Sequence, residues 1–198
     1  MASPTRIYHL PRSRSTRVLW ALEEIGVPFE VTLMTGADRK SDAHIARHAL
    51  GRVPVIEDDA GHLFESAAIV LALADRHPDS GLSFPLGTRE RELVYQWVLF
   101  AMAELEPLVV QVRDSREADP PRAIAAAERF RAAAALVERA VEGRQFIVAD
   151  QLSAADIIIG SVAGFARRNE LLAGFPEFNR YVDALEARPA FQRANPPA

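Results

Sequence analysis

The segment Gly51-Arg52-Val53-Pro54-Val55-Ile56-Glu57-Asp58, followed by Leu63-Phe64-Glu65-Ser66-Ala67-Ala68-Ile69, constrains this chain most. It reads as a strand, a turn at Asp58-Asp59-Ala60-Gly61, a second strand, and a helix that opens on an acid and a hydroxyl. Pro54 cannot donate a ladder hydrogen bond, so regular pairing starts after it. Only an X-Pro bond adopts the cis form at modest cost, and Val53-Pro54 is a candidate. A cis bond there turns the Val53 backbone outward, where its N–H and C=O can pair with the main chain of another peptide. The helix start at Glu65-Ser66, with free amides and a hydroxyl, suits a carboxylate. Together the two features predict a cradle for a short anionic peptide.

The flanking periodicity places this segment in a layered fold. Residues 6–10 form a short apolar strand closed by Pro11. Val18, Leu22 and Ile25 fall at helical spacing between Ser15 and Ile25. Phe29, Val31 and Leu33 alternate with polar residues, as in a half-buried strand. Residues 38–48 are polar and predict a short irregular helix, and Ser66 to Arg76 an apolar one. This β-α-β-α-β-β-α order is the thioredoxin-like arrangement. His77 to Pro85 is rich in turn residues.

Beyond that, only helical periods occur. Val94, Trp97, Val98, Ala101, Leu105, Leu108 and Val112 mark one face of a long helix that Pro107 should kink. Pro120-Pro121 opens the next, with a stripe at Ala123, Ala127, Phe130, Ala134, Val137 and Val141, ended by Gly143. Ser153-Ala154-Ala155-Asp156 reads as a capping box with Asp in place of Glu, with Leu152 and Ile157 at staple spacing. The fold class is therefore α/β plus all-α. Residues 1–78 form a thioredoxin-like domain, 79–87 a linker and 88–198 a helical bundle.

Composition narrows the function classes. The chain of 198 residues has a net charge of −4, which argues against nucleic acid as a partner. It has no cysteine, which excludes disulfides, thiolate metal sites and a cysteine nucleophile. No apolar run is read as a membrane span and no signal-peptide core is found, so a cytoplasmic protein is expected. His44 and His48 are four apart, but without a zincin glutamate or a third ligand no metal site is expected.

Val53-Pro54 with Glu65-Ser66-Ala67-Ala68-Ile69 resembles the glutathione-binding signature of the cytosolic glutathione S-transferases. Ile7 to Glu24 is similar to that family's first strand and helix, and Gly26 to Glu30 to the turn into its second strand. Phe146 to Ile157 is similar to its C-terminal capping motif. The bacterial-type resemblance, with a serine/arginine loop rather than cysteine, covers almost the whole chain. It implies glutathione as co-substrate, a small hydrophobic electrophile as acceptor, and a homodimer. It further implies that Arg52, Val53, Pro54, Glu65 and Ser66 hold glutathione. Arg52 and Lys40 are alternative partners for its glycyl carboxylate.

The loop Ser13-Arg14-Ser15 carries the candidate catalytic residues. A thiol with a pKa of about 8.5 is mostly protonated at neutral pH, and lowering it by about two units needs about 2.7 kcal/mol. One charge-assisted hydrogen bond contributes roughly 1.5–3 kcal/mol, so one serine can supply most of this. Ser13 is favoured over Ser15, which also suits an N-cap, and Arg14 is a possible helper. Trp97 and Phe100 can line an acceptor pocket or simply pack between helices. Glu104 can reach a neighbouring subunit's ligand. Asp156 reads as a folding element whose loss costs roughly 1–2 kcal/mol. The competing reading is a non-catalytic relative serving as a regulatory or scaffold module.

Overall fold

The computed structural model describes residues 4–196. The chain divides into two compact units. One comprises the chain up to Ser80 together with the segment from Pro189, and the other is Gly81–Arg188.

The first unit is a four-stranded sheet with helices on both faces. Its strands are β1 (Thr5–His9), β2 (Phe29–Leu33), β3 (Val55–Asp58) and β4 (Gly61–Phe64), in the order β2-β1-β3-β4. β2 runs parallel to β1, while β3 is antiparallel to both β1 and β4. Helices α1 (Ser15–Ile25) and α3 (Ser66–Arg76) pack together on one face. There Ile7, Val18, Leu22, Ile56, Ile69 and Leu73 are buried. The opposite face carries Tyr8, Val55 and Met34 under α2 (Asp42–Arg47), whose His44 ring lies 5.8 Å from Tyr8.

β2 forms where the alternation places it, but its expected buried face does not. Leu33 is 68% exposed and Val31 44%, because β2 is an edge strand. Met34, one residue past the strand, is buried instead.

The second unit is helical: α4 (Arg89–Phe100), α5 (Glu106–Ser115), α6 (Pro120–Val141), α7 (Ala154–Arg168) and α8 (Pro176–Glu186). The expected stripe on α6 is buried at Ala123, Phe130, Ala134, Val137 and Val141, with Ala126 in place of Ala127. The long helix is irregular just before Pro107, where a kink is expected. A π-helical stretch at Ala101–Leu105 joins α4 to α5 and puts the proline in the first turn of α5. There its missing N–H and its ring are tolerated. By length and composition alone the continuous helix Arg89–Ser115 is long and apolar enough to cross a membrane, contrary to the sequence expectation. Its Val94, Val98, Ala101, Leu105 and Val109 are buried, and α5 packs on α6.

Two expected boundaries differ. In the segment read as a linker, Leu82 is fully buried and its carbonyl accepts from Ala154 N–H at 2.9 Å. The Gly81 carbonyl accepts from Gln151 Nε2 at 2.7 Å. Helix α9 (Pro189–Ala194), expected with the bundle, packs on α1. Phe191 stands edge-on to Trp20 at 5.0 Å, and Arg193 pairs with Glu23 at 2.5 Å.

Asp156 is fully buried and organises the start of α7. Its Oδ2 accepts from Ser153 N–H at 2.8 Å and Ser153 Oγ–H at 2.9 Å. Its Oδ1 accepts from Ile147 N–H at 2.9 Å and Tyr181 Oη–H at 2.8 Å. Burial pushes the carboxyl above its usual range while these four donors oppose the shift. The Tyr181 hydroxyl is raised well above its ordinary value by burial and the adjacent acid. Since truncation would strand several buried donors, the cost exceeds that of a simple cap. Asp156→Ala should lower stability by roughly 3–5 kcal/mol in urea unfolding, and Asp156→Asn by less. An unchanged midpoint in both variants would remove the structural role.

Candidate functional site

Register brings the candidate residues to one edge of the sheet. Tyr8 faces Val55, and Val55 faces Phe64. The loop leaving β1 at Leu10, the peptide entering β3 at Pro54, and Glu65 after β4 therefore lie side by side. β2 ends level with β1, His9 facing Leu33, so residues 34–40 leave from the same edge.

In the first loop Ser13 is half-buried. Its Oγ lies 2.7 Å from the Leu10 carbonyl and 2.7 Å from Ser15 Oγ, and it accepts from Ser15 N–H at 3.2 Å. Ser15 is fully buried, so its hydroxyl does not open onto the surface. Its Oγ lies 2.7 Å from His9 Nδ1 and accepts from Leu10 N–H at 3.1 Å. Ser15 is thus not the N-cap of α1. That position belongs to Arg14, which is exposed and makes no side-chain cap bond. His9 is 6% exposed, and burial holds its imidazole below the ordinary histidine value, hence neutral at pH 7.

The Val53-Pro54 bond is cis, as expected. Pro54 is buried, and Val53 packs against Tyr8, Met34 and Val55. Arg52 is exposed, and its carbonyl accepts from His44 Nε2–H at 2.9 Å. Gly51, at φ 58°, lets this loop close on the 38–40 turn: a Cβ there would stand 2.6 Å from the Arg39 carbonyl. Exposed Lys40 ends that turn, so the Lys40 and Arg52 segments are neighbours.

Glu65 precedes α3 with φ 70° and ψ 108°, a region that residues with a Cβ rarely adopt. It is exposed, whereas Ser66 is buried. Ser66 Oγ accepts from the buried Arg17 guanidinium at 3.4 Å, which ties α1 to the start of α3. The sequence reading missed Arg17. It missed His9 as well; a histidine closing a buried strand two residues before Pro11 was the available signal.

Tyr8 points to the α2 face, away from this edge, and its hydroxyl donates to Glu57. Arg47 stacks on its ring at 4.6 Å and pairs with Glu57 at 3.3 Å. Burial, then Glu57, raises the phenol pKa, while the phenol and Arg47 lower that of Glu57. Tyr8 is thus held as a neutral donor in a structural cluster.

Within the helical unit Trp97 and Phe100 meet edge to face at 5.6 Å. They line an open cavity of about 450 Å³ with Leu136 and Arg139. Glu104 is exposed on the π-helical stretch. No group of three or more acids and histidines able to hold a metal occurs among the described residues. His48 Nδ1 accepts from Leu50 N–H at 3.2 Å.

Comparison with known proteins agrees with this fold. Residues 3–75 match the glutathione S-transferase N-terminal domain and residues 100–189 its C-terminal domain. Glutathione S-transferase 3 of Schizosaccharomyces pombe is 35% identical over 104 residues, 52% of this chain and 43% of that protein. A sphingomonad glutathione S-transferase solved with glutathione is 27% identical, with a TM-score of 0.85 and 96% of each chain covered. A Pseudomonas putida glutathione transferase with one glutathione disulfide bound per subunit is 26% identical, with a TM-score of 0.87, covering 98% of this chain and 91% of that one. Matched in order through a thioredoxin-like domain and a helical domain, the chain belongs to the glutathione S-transferase family.

Proposed function

We propose that this protein binds glutathione along the sheet edge and ionises its thiol beside Ser13 for addition to small hydrophobic electrophiles. The observation that carries this reading is the convergence of four groups. These are a half-buried hydroxyl at the start of α1, the Val53 backbone, the strained Glu65 and a cationic pair of segments at Lys40 and Arg52. The tripeptide's cysteinyl main chain pairs with Val53. Its ammonium meets Glu65, its γ-glutamyl carboxylate the amides at Ser66, and its glycyl carboxylate Arg52 or Lys40. The sulfur then lies by Ser13, with Arg14 adding positive potential. Pro54 shapes the loop and no metal is required. Peroxide reduction by the bound thiolate is a variant of the same chemistry. The relatives solved with glutathione or its disulfide support the ligand class. A reduced thiol co-substrate fits the cytoplasm.

One observation favours a second reading, a non-catalytic scaffold. The Ser13 hydroxyl has one hydrogen, and the Leu10 carbonyl lies 2.7 Å away to receive it. Catalysis requires that hydrogen to turn to sulfur.

Three outcomes test the proposal. Ser13→Ala should raise the pKa of bound glutathione's thiol by about 1–2 units, read from thiolate ultraviolet absorbance, while leaving affinity near wild type. If no variant or wild type ionises glutathione, the scaffold reading stands.

Glu65→Gly should relieve the positive-φ cost and raise stability by roughly 1 kcal/mol. It should weaken glutathione binding about tenfold, the scale of one charge-assisted bond. Calorimetric titration reporting unchanged affinity would remove Glu65 from the site.

The protein should be a homodimer. The motivation is the family together with exposed Leu50 and Phe64 on the first unit and exposed Leu99 on α4. A monomer mass by light scattering at micromolar concentration would refute it.

A further inference from the structure

Three short contacts link four atoms in a row at the start of α1. His9 Nδ1 to Ser15 Oγ, Ser15 Oγ to Ser13 Oγ, and Ser13 Oγ to the Leu10 carbonyl are each 2.7 Å. Such a distance between two electronegative atoms requires one hydrogen between them. A carbonyl has none to give, and the two hydroxyls supply one each. Two hydrogens cannot serve three contacts, so the third comes from His9.

We infer that His9 is the positioning residue for thiol activation: its Nδ1–H donates to Ser15 Oγ, Ser15 donates to Ser13, and Ser13's own hydrogen is thereby left for the outward acceptor.

The remaining partners complete the accounting. Ser15 Oγ receives Leu10 N–H at 3.1 Å on its second lone pair, and Ser13 Oγ receives Ser15 N–H at 3.2 Å. Ser15 Oγ also lies 3.1 Å from the Leu10 carbonyl, a second acceptor within its reach, but the 2.7 Å contact to Ser13 is the shorter and takes its hydrogen. Each hydroxyl oxygen then accepts twice and donates once. In the opposite tautomer the bare Nδ1 accepts, and Ser15 donates its one hydrogen bond to His9. Ser13 must then either give its hydrogen inward to Ser15 or face Ser15 lone pair to lone pair. Neither arrangement leaves a polarised donor for sulfur.

The inference rests on the reading of Ser13 as the thiol's partner. When a thiolate lies beside Ser13, the Ser13 hydrogen turns from the Leu10 carbonyl to sulfur. The thiol proton departs to water, and no net proton enters the chain. His9 Nδ1–H, Ser15 O–H and Ser13 O–H then point the same way, and aligned donors strengthen one another in a buried setting. Ser15 is fully buried and His9 nearly so, so water does not compete for the contact between them. His9 touches no substrate; it acts through two hydroxyls.

The test compares thiol ionisation of bound glutathione in wild type, Ser13→Ala, Ser15→Ala, His9→Leu and His9→Asn. Asparagine places an amide donor where Nδ1–H stood. His9→Leu and Ser15→Ala should each raise the bound thiol's pKa by roughly one unit and lower kcat with KM for glutathione unchanged. His9→Asn should restore most of the shift. A cavity or a loosened strand would not be rescued in this way. If His9→Leu does not fold, nitrogen-15 spectra of the wild-type ring decide the point. The Nδ1–H tautomer in the glutathione complex is expected, and the Nε2–H tautomer would overturn the inference. Ser13→Ala raising the pKa while Ser15→Ala and His9→Leu leave it in place would refute the relay and keep the Ser13 reading. Ser13→Ala without effect would refute both.

Discussion

Strand β1 carries the first unit because it is paired on both sides, parallel to β2 and antiparallel to β3. The antiparallel pair is the decisive one. It sets the end of β1 against the beginning of β3, and β4 then returns to the same level. A shift of one residue would turn Ile7 to the sheet face under α2 and Tyr8 into the α1–α3 core. The buried Ile7–Ile56 pair on one face and Tyr8–Val55 on the other resist that slip. The placement of every candidate group follows from this register, since each sits within seven residues of a strand end.

Polar burial is handled differently in the two units. In the helical unit one carboxylate collects four donors at the start of α7, and its loss would leave them unmatched. In the first unit the polar row at the start of α1 is neutral: a histidine and two hydroxyls, ending at a carbonyl. A carboxylate in that place would repel a thiolate. A row of neutral donors with one outward hydrogen does not.

How far the sequence revealed this depends on whether a feature is local. The cis Val53-Pro54 bond, the Asp156 capping box and the α6 stripe each lie within a few residues, and all were legible. The burial of β2 was not, because alternation cannot tell an edge strand from a central one. Pro107 was visible as a break, but nothing local says that a helix will absorb it upstream through a π-helical stretch. The roles of Ser13 and Ser15 were left open for a similar reason. Two serines in one loop are equivalent on paper, and only the fold buries one and leaves the other half-exposed. Arg17 and Ser66, 49 residues apart, meet only once α1 and α3 have docked.

The docking of α9 on α1 makes the first unit discontinuous along the chain. During synthesis the strands and first three helices emerge long before Phe191 and Arg193. Until then the edge of Trp20 and the carboxylate of Glu23 lack the partners they hold in the finished protein. Domains generally fold as they leave the ribosome. Here completion of the first unit must wait for translation through the whole intervening helical segment, so a ribosome stalled within that segment displays a first unit without α9.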